Sequence, residues 1–263
     1  MNISVLIPVH NGEITIAQAI ESVLSQTVKV RQIVVVDDGS TDRTPAILAE
    51  YRNRGLIEVV GSSEQKGQTK RMNEGLRHSS GDWVARLDAD DWWQLNHIEV
   101  ISNFLYERQA EYSLVGTRAR YVEPSGNHSG LSPYPGSERQ IWCYLMKDNP
   151  FVHSGVIYRR DTALEIGGYS NNVRWEDYSL WIELAARGRV AILPDITVNY
   201  RMALGWSSKI EKSIALTERF LLQRKAASLF LRRCPLRGVF FIVTSWLRIL
   251  VFHGRRKSRN SIA

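Results

Sequence analysis

The sequence predicts an α/β protein with a mostly parallel sheet flanked by helices. Three observations carry that expectation. Apolar strand-like runs alternate with segments of helical periodicity through the first half of the chain. The connections between them are short, as repeated β-α-β units require. Two of the runs end in clustered carboxylates: Ile33-Val34-Val35-Val36 in Asp37-Asp38-Gly39-Ser40, and Trp83-Val84-Ala85-Arg86-Leu87 in Asp88-Ala89-Asp90-Asp91. In an open α/β sheet the carboxyl ends of parallel strands are where ligands bind. Carboxylates gathered there repel one another unless a cation or a polyhydroxylated ligand answers them.

Taken in order, Ile3 to Val9 reads as a buried strand, and Ile14 to Gln26 carries Ile16, Ala19, Ile20, Val23 and Leu24 at helical spacing. Ile33–Val36 is the second strand, and Thr41-Asp42 is the cap of a helix running to about Arg54. Leu56–Val60 is the third strand, Gln68–His78 a helix, Trp83–Leu87 the fourth strand and Leu95–Arg108 another helix. After Tyr112–Thr117 the pattern loosens, and Pro124 to Gly136, rich in Pro, Gly and Ser, reads as a mobile loop. A second segment follows, with a helix near Glu138–Met146, a strand near Gly155–Tyr158, a short helix near Asp161–Ile166 and a turn at Gly167-Gly168. Helix Asp177–Arg187 and strands near Val190–Leu193 and Ile196–Arg201 complete it. The domain is expected to span 1–205.

Residues 206–263 read as a helical, basic tail. From Arg224 onward there are ten Lys/Arg and no Asp or Glu, while residues 1–223 hold 24 basic and 27 acidic residues, a net of −3. The +7 of the whole chain therefore belongs to the tail. A nucleic-acid surface, which needs basic residues across the folded domain, is not expected. Ile210 to Arg232 reads as a long helix stopped by Pro235. Leu236 to Phe252 is strongly apolar but shorter than the roughly 20 residues a membrane-spanning helix needs, and Arg248 interrupts it. Arg237, Thr244, Ser245 and Arg248 share one narrow helical face, and Arg255-Arg256-Lys257 and Arg259 follow. The expectation is an in-plane interfacial helix with a polybasic anchor for an anionic membrane surface. The plainer alternative is a helix packed on its own domain or on a partner. Cys143 and Cys234 are the two cysteines, a count that suits a reducing cytoplasm rather than a disulfide framework. No basic n-region precedes the strand at Ile3, so no signal peptide is expected. The localisation read from these features is cytoplasmic, peripheral on the inner face of the membrane.

Several segments together resemble one family. Val5-Leu6-Ile7-Pro8-Val9-His10-Asn11-Gly12, Ile20 to Thr27 and Val34-Val35-Val36-Asp37-Asp38-Gly39-Ser40-Thr41-Asp42 are similar to the start of a family 2 glycosyltransferase. Leu87-Asp88-Ala89-Asp90-Asp91 resembles that family's metal-binding signature, and Glu176-Asp177-Tyr178-Ser179-Leu180-Trp181 its catalytic-base segment. The resemblance spans about residues 3 to 201 with the motifs in order. It implies a GT-A-like nucleotide-binding sheet, with the nucleotide-sugar half over about 1–117 and the acceptor half over 118–205. The implied reaction is inverting transfer of a sugar from a nucleotide-diphosphate donor, a UDP-sugar first, to a hydroxyl.

Such transfer must stabilise a diphosphate leaving group and remove a proton from the acceptor. Hard divalent cations, Mg²⁺ or Mn²⁺, bridge phosphate oxygens and take carboxylate ligands. On this reading Asp90 is the principal metal ligand, Asp88 lies nearer the ribose or sugar, and Asp91 shares either role. By family analogy Pro8, Val9, His10 and Asn11 border the base, with Ala89 beside the donor. Asp38 is expected to accept from the base or ribose while Asp37 caps the local turn. Lys70 and Asn73 are expected beside the nucleotide, with at most one of Lys70 and its neighbour Arg71 facing the site, and Arg201 is expected to reach the diphosphate after loop closure. Asp177 is the base candidate, removing the acceptor proton in a direct displacement; Glu176 orients the acceptor or caps the helix. Trp175 is read as a sugar-stacking residue and Trp181 as core. His153 and Trp92-Trp93 are read either as site residues or as packing.

The tail points to a glycan or glycolipid acceptor in cell-surface polysaccharide synthesis. Transfer to a polyprenyl phosphate is the nearest alternative, since an anionic acceptor needs less help from a base. A non-catalytic nucleotide-sugar-binding protein is the alternative from another class. Nucleotidyl transfer also uses paired acids and metal, but leaves the Glu176-Asp177 segment unexplained.

Overall fold

A computed structural model describes residues 1–202, 212–230 and 233. The expected interfacial helix over 236–252 and the basic run after it lie outside the described residues. Among those described, the strands are β1 (Ile3–Val9), β2 (Gln32–Asp38), β3 (Glu58–Ser62), β4 (Trp83–Arg86), β5 (Trp92–Trp93), β6 (Tyr112–Val122), β7 (His128–Leu131), β8 (Val156–Arg159) and β9 (Arg189–Arg201). The helices are α1 (Ile16–Leu24), α2 (Thr44–Asn53), α3 (Gln68–His78), α4 (His97–Leu105), α5 (Glu138–Leu145), α6 (Arg160–Ile166), α7 (Glu176–Arg187) and α8 (Lys212–Phe230). All the strands join one sheet in the order β3-β2-β1-β4-β8-β6-β9-β5, with β7 on β6.

The first half is the expected parallel unit: β2, β3 and β4 pair in parallel with β1 or β2. β1 is buried along its whole length, which is why its sequence, Ser4 aside, is apolar rather than alternating. Its residues nonetheless divide by face. Ile3, Val5, Ile7 and Val9 pack with Ile16, Ala19, Ile20 and Val23 of α1, while Leu6 packs with Met72 and Leu76 of α3. Beyond β4 the pairing changes. β8 runs antiparallel to β4 and to β6, and β9 returns parallel to β6. The chain enters β4 on the opposite side of β1 from β2, so the strand order reverses there. The carboxyl ends of β1, β2 and β4 splay around that crevice, where α/β sheets hold ligands.

Three differences from the sequence reading have physical causes. The Pro/Gly/Ser-rich segment 124–136 contains β7, paired antiparallel with an extended β6 through a turn at Gly126, whose φ of 85° suits glycine. The two expected strands over 190–201 are one, β9, whose register against β6 shifts near Arg118 to pass the irregular stretch. Trp92-Trp93 forms a two-residue edge strand on β9 that no run of apolar residues announces.

α8, assigned to the tail from sequence, buries Leu222, Ala226, Ala227 and Phe230 in the same core as α5 and α7.

Candidate active site

The acidic loop after β4 is anchored from beneath. Arg86 is fully buried, and a buried guanidinium demands a counter-charge. It donates to Asp88 Oδ1 at 2.6 Å and to the Leu87 carbonyl. Burial alone would raise the Asp88 pKa, but the Arg86 charge and the Ser154 hydroxyl hold it below the usual carboxylate value. Ser154 closes the other side: its Oγ accepts the Asp88 N–H at 3.0 Å and lies 3.0 Å from Asp88 Oδ2 and 2.5 Å from Asp91 Oδ2. Burial and the Asp88 charge push the Asp91 pKa well above its ordinary range.

That geometry corrects the role expected of Asp91. Its Oδ1 takes the Arg201 N–H at 2.7 Å and its Oδ2 takes Ser154, so both oxygens face the fold and the residue is 2% exposed. Asp91 ties the acidic loop to β9 and does not line the cleft. Arg201 is corrected with it. Its Nε donates to the Asp90 carbonyl at 2.9 Å, its Nη2 to Gln18 at 2.8 Å, and its guanidinium lies 5.0 Å from the Trp92 ring centre. Those contacts make it a clamp on the acidic loop, outside the cavity wall.

Asp90 is different. It is exposed at the cleft edge, and no other residue donates to its carboxylate among the described residues. Partial desolvation and the Asp88 charge raise its pKa. An unpartnered carboxylate beside a second one is an arrangement a hard divalent cation would relieve. Among the described residues no three His, Cys, Asp or Glu side chains form a closed cage, so diphosphate oxygens and water would complete such a site.

A cavity of about 330 Å³ opens at this edge, lined by Pro8, Val9, His10, Asn11, Asp38, Arg71, Asp88, Ala89 and Asp90 among others. Its wall is fixed by backbone contacts. His10 Nδ1 lies 2.9 Å from the Asp38 carbonyl, and Asn11, at φ 53°, accepts the Thr41 N–H at 2.8 Å. Asp38 accepts the N–H groups of Lys66 and Gly67 at 2.7 and 3.0 Å and Arg71 Nε at 3.3 Å, so it caps the start of α3 while facing the cavity. Asp37 holds Ser40 N–H at 3.0 Å, the turn-capping role expected of it.

On α3 the side chains sort by direction. Lys70 is exposed and outside the cavity wall, whereas Arg71 is 2% exposed and lines it. Consecutive helical residues point about 100° apart, so only one of the pair could face inward, and the assignment of Lys70 to the nucleotide is corrected to Arg71. Asn73 is also corrected: its Nδ2 donates to the Tyr169 carbonyl at 2.7 Å and its Oδ1 accepts the Tyr169 N–H at 2.8 Å. Both ends of the amide are engaged by Tyr169, and Asn73 is buried away from the cavity wall.

Across the cleft, Glu176 and Asp177 open α7 on a well-packed platform. Tyr178, Leu180 and Trp181 are buried behind them, confirming Trp181 as core. Asp177 accepts the Tyr178 N–H at 2.6 Å and Asn149 Nδ2 at 2.8 Å. Burial and the adjacent Glu176 lift its pKa to about 7, and the Asp88 charge adds to the rise. Glu176 is raised as well, by burial first. Asp88 is thus close enough for its charge to act on both, although neither is among the residues that line the cavity. His153 sits with its Nδ1 3.9 Å from Asp88 Oδ2, but burial and Arg86 push its pKa down to about 3, so it is neutral. Trp93 is packing: it stacks on His97 at 4.2 Å and donates to the Ser154 carbonyl at 2.6 Å.

Sequence reasoning missed Arg86, Ser154 and Asn149. Arg86 left a signal, a lone charge inside an apolar strand two residues before Asp88. Ser154 and Asn149 left none, because only the fold brings them to the carboxylates.

The model of Glycosyl transferase family 2 matches residues 4–167. The amylovoran biosynthesis glycosyltransferase AmsE of Erwinia amylovora is 30% identical over 202 residues, 75% of either chain. The Escherichia coli UDP-Gal:alpha-D-GlcNAc-diphosphoundecaprenol beta-1,3-galactosyltransferase is 24% identical over 70% of this chain and 68% of its own. Among solved structures, S. aureus TarS 1–349 in complex with UDP-GlcNAc superposes with a TM-score of 0.69 at 21% identity, covering 88% of this chain and 67% of that one. Its GT-A architecture is therefore shared here.

Proposed function

This chain belongs to glycosyl transferase family 2, and from that premise we propose an inverting transfer of a sugar from a UDP-sugar to a hydroxyl of a lipid-linked glycan in cell-surface polysaccharide synthesis. One observation carries the mechanism: Asp177, a carboxylate lifted to about 7, feels the charge of Asp88, which edges the cavity together with the unpartnered Asp90. A general base works best when its pKa lies near the working pH. Asp177 takes the acceptor proton as the hydroxyl oxygen bonds to the anomeric carbon, and the bond from that carbon to the diphosphate breaks on the opposite side. The cavity wall from Pro8 to Asn11, with Asp38 and Arg71, holds the nucleoside, and Asp88 holds the ribose or sugar. Asp90, with Asp88, would hold Mg²⁺ or Mn²⁺. The bound cation would supply positive charge for the departing diphosphate.

The relatives support the donor and acceptor classes: one is named for UDP-Gal and a diphosphoundecaprenol-linked sugar, another for amylovoran biosynthesis. No helix among the described residues is long and apolar enough to cross a membrane. The basic residues from Arg224 onward would bring the enzyme to an anionic membrane surface. Calorimetry with UDP, GDP and dTDP, each with and without Mn²⁺, on wild type and Asp90→Ala tests the reading. Mn²⁺-dependent binding of UDP, lost in the variant, is expected; a folded protein that binds no nucleotide would overturn it.

A further inference from the structure

Asp177 is held by residues that no motif assigns. Its Oδ2 accepts from Asn149 Nδ2 at 2.8 Å. Asn149 is fixed in turn: its N–H donates to Asp148 Oδ1 at 2.9 Å, and its Oδ1 accepts the Phe151 N–H at 3.0 Å. Asp148 pairs with Arg219 of α8, Nη2 to Oδ2 at 2.5 Å. The same guanidinium lies 6.0 Å from the centre of the Trp175 ring, next to Glu176. One residue earlier in α8, Glu218 accepts the Arg174 N–H at 3.1 Å. One turn later, Gln223 Nε2 donates to the Lys147 carbonyl at 2.5 Å. α8 therefore grips both segments that meet at Asp177, residues 147–149 and 174–175. Buried Leu222, Ala226 and Ala227 seat it against the core.

We propose that Asn149 is a positioning residue for Asp177, and that α8 holds Asn149 in place through Arg219 and Asp148. The proposal rests on reading Asp177 as the proton acceptor. With Oδ1 taken by the Tyr178 N–H and Oδ2 by Asn149, the carboxylate plane is fixed and its remaining lone pairs are the ones available to a substrate. The Asn149 side-chain Nδ2–H also favours the ionised carboxylate over the acid. It acts against burial, against Glu176 beside Asp177, and against Asp88 across the cleft. The Tyr169 and Tyr178 hydroxyls are the other titratable groups around Asp177, and the Asp148–Arg219 pair stands behind Asn149. Removing the amide donor should raise the midpoint at which Asp177 ionises. Removing Arg219 leaves the Asp148 charge uncompensated and frees Asn149, which acts in the same direction.

The test is a carboxyl-carbon NMR titration of the full chain labelled at aspartate, with no ligand needed. Asp177→Asn identifies the Asp177 resonance as the one that disappears. The expected result is a midpoint raised by about one pH unit in Asn149→Ala, the shift a single hydrogen bond to a charged group produces. A smaller rise is expected in Arg219→Met, with the wild-type midpoint restored in Arg219→Lys. An unmoved midpoint in Asn149→Ala or in Arg219→Met overturns the proposal. Should Asn149→Ala fail to fold, the contrast between Arg219→Met and Arg219→Lys, on a half-buried flank of α8, still decides it. Transferase activity retained in Asp177→Asn alongside shifted midpoints would sink the base assignment and leave the positioning contact standing. Loss of activity in Asp177→Asn with unmoved midpoints would sink the positioning contact alone.

Discussion

Asn73→Ala distinguishes a nucleotide ligand from a clamp between the two halves of the fold. Asn73 sits on α3, in the parallel half, and bonds both the N–H and the carbonyl of Tyr169, in the turn that leads to α7. Tyr169 is 1% exposed, so truncating Asn73 strands a buried donor and a buried acceptor together. Each stranded group costs about 1–3 kcal/mol. The two together cost about 2–6 kcal/mol, and a loss near 3 kcal/mol, toward the low end, lowers Tm by about 6–12 °C in a chain of this size. The turn runs close against Asn73: a Cβ added at Gly168, φ 77°, would lie 2.2 Å from Asn73 Oδ1. Urea unfolding of wild type and variant gives the stability difference, and UDP calorimetry on the same samples gives the affinity at a temperature where both are folded. A clamp loses about 3 kcal/mol and keeps its UDP affinity within a few fold. A stability loss under about 1 kcal/mol with UDP binding abolished would refute the argument and restore Asn73 to the nucleotide.

Ser154→Ala removes the hydroxyl shared by Asp88 and Asp91, and a hydrogen bond to a charged group is worth about 1.5–3 kcal/mol. Denaturant unfolding should show a loss near 2 kcal/mol, and a loss below about 0.5 would contradict the bridging role. Asp177→Asn should stabilise the protein in a pH-dependent way. The folded pKa of about 7 stands above the ordinary 3.8, so ionising Asp177 costs stability progressively as pH rises through that window. Unfolding curves should show no gain near pH 4 and a gain of at most about 4 kcal/mol at pH 8; a larger gain at pH 4 would reverse the sign and defeat the reasoning. Removing residues 234–263 keeps α8 and the Arg233 guanidinium 4.4 Å from the Trp142 ring. The truncated protein should bind nucleotide and leave the membrane fraction, and unchanged fractionation would remove the membrane role from the tail.

Periodicity made the elements of the first half legible because both faces of β1 and β2 are buried, so apolar runs and acidic strand ends stand out. The second half was harder for a physical reason. β8, β6 and β9 pair antiparallel or with shifted register, and β5 is an edge strand of two residues with nothing to distinguish it from a loop. The site shows the same division at finer scale. Motif order brought Asp88, Asp90 and Asp177 forward, but it could not separate each from its neighbour. Lys70 and Arg71 are equally basic, yet one faces solvent and the other the cavity. Asp90 and Asp91 are equally acidic, yet Ser154 and the Arg201 N–H turn Asp91 inward and leave Asp90 at the cleft. What decides between neighbours is the partner each side chain meets, and those partners lie 63 and 110 residues away. A charge pattern therefore identifies a site to within a residue or two, and the last step depends on contacts that exist only once the chain has folded.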